Sequence, residues 1–383
     1  MQKLSKIQKR KFYEDGYIIL ENIVPDKLIE NALKVVKNKN FISDKNGHRK
    51  KVAESQIKNL KDDLPDYFSK NTNLCDLINK TNAKLILDEL IGEYDPPTAC
   101  HPAIQVKKKK LINHFTSSGY LENDVPFNGS ILHIDGILTI HLPQKRFTGD
   151  NQDIYKEFLS YGPKGYIGIT PEVVGHNFVP LFQDPQMTLG IGSFTALVFF
   201  ALTDQLDPGF GQTAVLPGAH HDMMKFLNFQ KDFNNHVGIE GEGWPRLDYK
   251  ASNGCGINYL PEYVNKKYTD NSSIQTNNHK KWPEPTTVNL KKGDMCIINY
   301  LLPHTRTNNI NGIEDRINVF FRLRNKKRQP NIILNGVSDS PDRGFCGTWI
   351  NYEDGNDPWE KSKYAMCNIW EEFEGINPSE LIL

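Results

Sequence analysis

From Arg316 to Leu323 the chain alternates strictly, so that Arg316, Asn318, Phe320 and Arg322 share one face of a strand while Ile317, Val319, Phe321 and Leu323 share the other. Two further runs are apolar nearly throughout, Phe194 to Leu202 and Met295 to Tyr300, which is the pattern of strands buried on both faces. Shorter strands are predicted at Tyr17 to Leu20 and Gln212 to Leu216. Helical spacing appears earlier in the chain. It predicts a short helix over 5–14, an amphipathic one from Asp26 to Lys37 with Leu28, Ile29, Ala32, Leu33 and Val36 on one side, and another from Leu74 to Ile91 broken near Thr81-Asn82. The tail carries Trp349, Trp359, Trp370 and a helix-like stretch from Tyr364 to Phe373, which predicts that it folds back on the rest. Residues 222–285 show no clear organisation.

A 383-residue chain is long for one domain, yet β-rich enzymes with insertions reach this size. One domain spanning 1–383 is expected. Lysine plus arginine and aspartate plus glutamate both number 46, so no global basic field argues for nucleic acid or an anionic membrane as partner. The six cysteines include no C-x-x-C pair, which gives neither a zinc module nor a disulfide framework. No window approaches a membrane span, the N-terminus lacks a signal-peptide pattern, and Leu381-Ile382-Leu383 is not a peroxisomal tripeptide. The expected location is cytoplasmic.

Candidate chemistry begins at Ser130-Ile131-Leu132-His133-Ile134-Asp135-Gly136. On a strand His133 and Asp135 point to one side and Leu132 and Ile134 to the other, which suits either a metal-ligand pair or a satisfied histidine. A second histidine, His304, follows the Met295–Tyr300 strand, and a polar loop, Thr305 to Asp315, then leads to Arg316. Two histidines and one carboxylate suit non-heme Fe(II) with open coordination positions, and an arginine on the polar face of a nearby strand suits a bidentate carboxylate clamp. Arg306 is the rival for that clamp. Lys107-Lys108-Lys109-Lys110 reads as a solvated loop or an anion contact.

The order H-x-D, Lys292-Gly293-Asp294 turn, strand, distal histidine and arginine resembles the phytanoyl-CoA dioxygenase family of Fe(II)/2-oxoglutarate oxygenases. Phe12-Tyr13-Glu14-Asp15-Gly16-Tyr17-Ile18-Ile19-Leu20 resembles that family's N-terminal opening, and Gly211 through Pro217-Gly218-Ala219-His220 resembles its G…PGSH segment. The match covers about residues 10–325. It implies a mainly β fold with flanking α elements: a double-stranded β-helix (jelly-roll, cupin-like) core buttressed by N-terminal helices. It also implies His133, Asp135 and His304 on Fe(II), Arg316 on 2-oxoglutarate, and O2 as the oxidant. The activity implied is a dioxygenase that hydroxylates an unactivated C–H bond of a small organic substrate, releasing succinate and CO2. Retention of Asp135 favours hydroxylation over halogenation, since related halogenases have a small residue there. In the same resemblance His220 is structural and not a metal ligand. The gap from His304 to Arg316 looks one residue longer than in familiar members, and 143–189 looks like an insertion placed to act as a lid. Residues 326–383 are expected to form a C-terminal extension packed on the core. Alternatives from other classes are a cupin-type metal enzyme and a binding protein, neither using 2-oxoglutarate.

Overall fold

A computed structural model describes residues 3–37, 71–97, 100–107, 132, 187–192, 194–232, 267–269, 285–327, 347–351 and 368–382. The elements in chain order are α1 (Lys6–Asp15), β1 (Tyr17–Leu20), α2 (Asp26–Val36), α3 (Thr72–Asn79), α4 (Asn82–Ile91), β2 (His101–Gln105), β3 (Met187–Gly192), β4 (Ala196–Ala201) and β5 (Thr213–Val215). They continue with α5 (Ala219–Asp232), β6 (Thr286–Thr287), β7 (Met295–Asn299), β8 (His304–Arg306), β9 (Arg316–Leu323), β10 (Gly347–Asn351), a 3-10 turn at Ile369–Glu372 and α6 (Pro378–Leu381).

The sheet order explains the fold. Five strands run β1-β7-β4-β9-β2 and three run β6-β5-β8, every pairing antiparallel. Along the chain β4 lies in the larger sheet, β5 and β6 in the smaller, β7 in the larger, β8 in the smaller and β9 in the larger. Apart from the β5–β6 pair, the strands from β4 to β9 cross between the two sheets in turn, which is the winding of a double-stranded β-helix. A separate pair joins β10 to β3. The residues expected to be strand at 130–136 lie outside the described residues except Leu132, which is buried in the core. The expected lid is likewise outside them up to residue 186.

The two faces of β9 behave as its alternation predicts. Ile317, Val319, Phe321 and Leu323 join one apolar core with Phe12 of α1, the Ile29, Ala32 and Val36 stripe of α2, and Leu74, Leu77 and Ile78 of α3. These positions recur at helical spacing, so each helix presents a continuous apolar stripe, and each Leu, Ile, Val or Phe buried there contributes about 1.5–3 kcal/mol. The helix read from Leu74 to Ile91 is two helices. Thr81 separates them, capping α4 by accepting from the Ala83 N–H at 3.2 Å. Ile369, Trp370, Phe373, Ile376 and Leu381 belong to the same core.

Two elements depart from expectation. The loop expected over Thr305 to Asp315 begins instead as part of a strand, His304–Arg306, because its backbone pairs with β5 more than 80 positions earlier, with Val215 opposite His304 and Thr213 opposite Arg306. Within the unorganised stretch beginning at 222, α5 runs on to Asp232. Pro217-Gly218 reads as a turn, and in the structure that turn is the helix's entrance.

Candidate active site

The inner face of the larger sheet carries Arg316, Asn318, Phe320 and Arg322. Register places Gln105, Ala103 and His101 of β2 opposite the first three, and Ala201, Phe199 and Leu197 of β4 opposite the last three. Phe320 stacks on Phe199 with ring centroids 4.8 Å apart, so an aromatic wall adjoins the polar end. Asn318 and Gln205, both fully buried, satisfy each other through their amides.

Arg316 is the outstanding group. It is only 4% exposed, its Nε donates to the Gly211 carbonyl at 2.6 Å, and its Nη1 donates to the Ala103 carbonyl at 3.3 Å. No carboxylate pairs with it among the described residues. Gly211 lies just before β5, so the first of these bonds points the guanidinium from the larger sheet toward the smaller one. Burial, aided by the nearby positive charge of Arg306, pushes the Arg316 pKa down to about 9. A buried cation without a counter-ion is costly, and an anionic ligand removes that cost.

His304 is buried at the start of β8. Its position follows from a tight turn after β7, in which the Leu302 N–H donates to the Asn299 carbonyl at 2.9 Å and the Asn299 side chain accepts from the Leu301 N–H, also at 2.9 Å. The His304 Nδ1 then lies 3.1 Å from the Leu302 carbonyl. A carbonyl can only accept, so Nδ1 carries the proton in that bond, and in the neutral ring Nε2 is then the nitrogen with the lone pair. That is the tautomer a metal-ligating histidine needs. His133 and Asp135 lie outside the described residues, so His304 and Arg316 are the two predicted site residues whose surroundings are defined. His304 opens β8 and Arg316 opens β9, the next strand. Arg306, two residues after His304 on the same strand, is exposed where Arg316 is buried.

His220 and His221 have a different task. Both Nε2 atoms meet the Tyr13 carbonyl, at 2.9 and 2.7 Å, so both rings donate there. Burial drives the His220 pKa down to about 3 and lowers that of His221 as well. Gly16, which ends α1 at φ 80°, sits against the His220 ring so closely that a Cβ there would fall 2.5 Å from Nδ1. The Pro217-Gly218-Ala219-His220 turn therefore clasps the end of α1. Lys107 is exposed, and its backbone N–H donates to Asp315 at 2.8 Å; Lys108 to Lys110 lie outside the described residues.

The sequence reading missed the main-chain groups that hold Arg316. A carbonyl belongs to every residue, so residue type cannot mark Ala103; Gly211 was visible only as the first residue of a motif.

Among solved structures, HygX from Streptomyces hygroscopicus with nickel and 2-oxoglutarate bound aligns over 92% of this chain and 99% of its own, at 10% identity and a TM-score of 0.39. The epimerase SnoN in complex with Fe3+, alpha ketoglutarate and nogalamycin RO aligns over 82% of this chain and 81% of its own, at 9% identity and a TM-score of 0.37. The carbocyclase SnoK from nogalamycin biosynthesis aligns over 84% and 85%, at 11% identity and a TM-score of 0.34. No protein-family model and no curated protein matches the chain. Among the described residues no helix is long and apolar enough to cross a membrane.

Proposed function

We propose that this protein is an Fe(II)- and 2-oxoglutarate-dependent dioxygenase that hydroxylates an unactivated C–H bond of a small organic substrate. The observation that carries the reading is Arg316: a buried guanidinium, held by two carbonyls, without a carboxylate partner among the described residues. A diacid that leaves one carboxylate on Arg316 supplies the missing charge. A metal-binding barrel that uses no anionic cosubstrate has no such need.

In this reading His133, Asp135 and His304 hold the iron. His304 contributes Nε2, because its Nδ1 faces the Leu302 carbonyl. Bound iron with 2-oxoglutarate and O2 supplies the oxidising power, with succinate and CO2 as products. The chain's own residues orient and enclose. Arg316 fixes the distal carboxylate, while the Phe199–Phe320 pair and the buried Asn318–Gln205 amides exclude water from that end of the sheet. The four motifs that resemble the phytanoyl-CoA dioxygenase family support the same residue roles, with 143–189 as a substrate-side lid.

The test is anaerobic addition of Fe(II) and then 2-oxoglutarate to the metal-free protein. A visible charge-transfer band that saturates with 2-oxoglutarate is expected. Absence of the band, together with absence of 2-oxoglutarate binding by calorimetry, would overturn the proposal.

A further inference from the structure

A guanidinium measures the length of a diacid only if it is itself held in place, and besides the Ala103 carbonyl of β2 the surroundings of Arg316 include two loops that are bound to each other. One is 207–212, before β5; the other is the turn 307–315, between β8 and β9. The Gly211 carbonyl receives Nε at 2.6 Å. Gly211 adopts φ +77°, and a Cβ there would lie 3.0 Å from the Asn309 Cβ, 3.1 Å from the Gln105 Cγ and 3.3 Å from the Arg316 Cβ. A side chain there is strained at this φ and presses on Asn309, Gln105 and Arg316 together. Asn309 is fully buried, and its Nδ2 donates to the carbonyls of Gln105 at 3.0 Å and Glu314 at 2.8 Å. Gln105 is the residue paired with Arg316 in the sheet, and Glu314 lies two positions before it.

The two loops are bound to each other as well. Phe210 bridges to Asn309, the N–H groups of Ile310 and Asn311 both reach the Gly209 carbonyl, and the Thr307 hydroxyl donates to the Gln212 carbonyl at 2.9 Å. The turn 307–315 thus backs the loop whose Gly211 carbonyl holds Arg316.

We propose that Gly211 and Asn309 are positioning residues that set the reach of the Arg316 guanidinium and thereby select the chain length of the 2-oxo diacid that the protein accepts. This rests on the reading that Arg316 binds the distal carboxylate. Charge-assisted hydrogen bonds are short and directional, so a diacid longer or shorter by one methylene pairs poorly with a fixed guanidinium. A displaced or loosened guanidinium loses that discrimination.

The experiment titrates oxaloacetate, 2-oxoglutarate and 2-oxoadipate, without oxygen, into the iron-loaded wild type, Gly211→Ala and Asn309→Ser, with iron affinity and melting temperature measured alongside. Wild type is expected to favour 2-oxoglutarate. Each variant is expected to shrink that preference by about tenfold or more while keeping its iron. If Gly211→Ala does not fold, Asn309→Ser, which keeps the backbone conformation of Gly211 free of strain, carries the same expectation. A wild type that binds none of the three acids overturns the Arg316 reading and this inference together. A wild type that prefers 2-oxoglutarate, with variants that keep its preference or weaken all three acids equally, overturns the positioning role alone.

Discussion

The Nε of Arg316 and the carbonyl of Gly211, 105 positions apart in the chain, meet at 2.6 Å and tie the first residue of β9 to the loop that feeds β5. That bond aims a buried positive charge into the space between the two sheets.

Replacing Arg316 with alanine is expected to weaken 2-oxoglutarate binding while Fe(II) still binds. Loss of one partner of a buried ion pair costs roughly 3–5 kcal/mol, or on the order of a hundredfold to several thousandfold in affinity. Arg306→Ala, at the exposed rival position, is expected to change binding far less. Calorimetric titration of both variants checks this, and a loss confined to Arg306→Ala would move the clamp to β8.

His304→Ala is expected to abolish coupled turnover and lower Fe(II) affinity by more than the roughly 10–100-fold that loss of an outer partner costs. Far-ultraviolet circular dichroism of the metal-free variant should match wild type. Retained stoichiometric iron binding with full activity would remove His304 from the ligand set.

His220 links stability to pH. Its folded pKa of about 3 lies below the ordinary 6.5, because burial and the neighbouring His221 oppose the charge more than the Tyr13 carbonyl and Asp222 favour it. The unfolded chain therefore takes a proton that the folded one refuses. The neutral ring's contribution is complete above pH 6.5 and is lost progressively as pH falls from 6.5 toward 3. Lys225 and Lys267 act in the same direction on His221. Melting temperature measured across that range should fall more steeply in wild type than in His220→Gln, and parallel curves would count against this account.

Asp294 fastens the turn before β7, its two oxygens accepting from the Asn22 N–H at 2.9 Å and the Lys291 N–H at 2.8 Å. Asp294→Ala leaves both donors without that partner and is expected to destabilise the fold by about 1–3 kcal/mol. The midpoint of urea denaturation should drop with no change in its slope.

The sequence by itself determined which residues share a face. The alternation from Arg316 to Leu323, the apolar run inside Phe194 to Leu202 and the stripe of α2 reappear in the structure, because side-chain periodicity is a local property of the chain and burial acts on it directly. The helix break at Thr81 was legible for the same reason, since capping is chemistry between near neighbours. Only the tertiary structure decided that His304–Arg306 is a strand, because its hydrogen bonds go to β5. It likewise decided that His220 and His221 serve the Tyr13 carbonyl, and that Arg316 is buried between two carbonyls with no carboxylate beside it among the described residues. Those facts depend on main-chain groups that every residue carries and on charges brought together from distant parts of the chain, and neither leaves a mark in the local pattern of residue types.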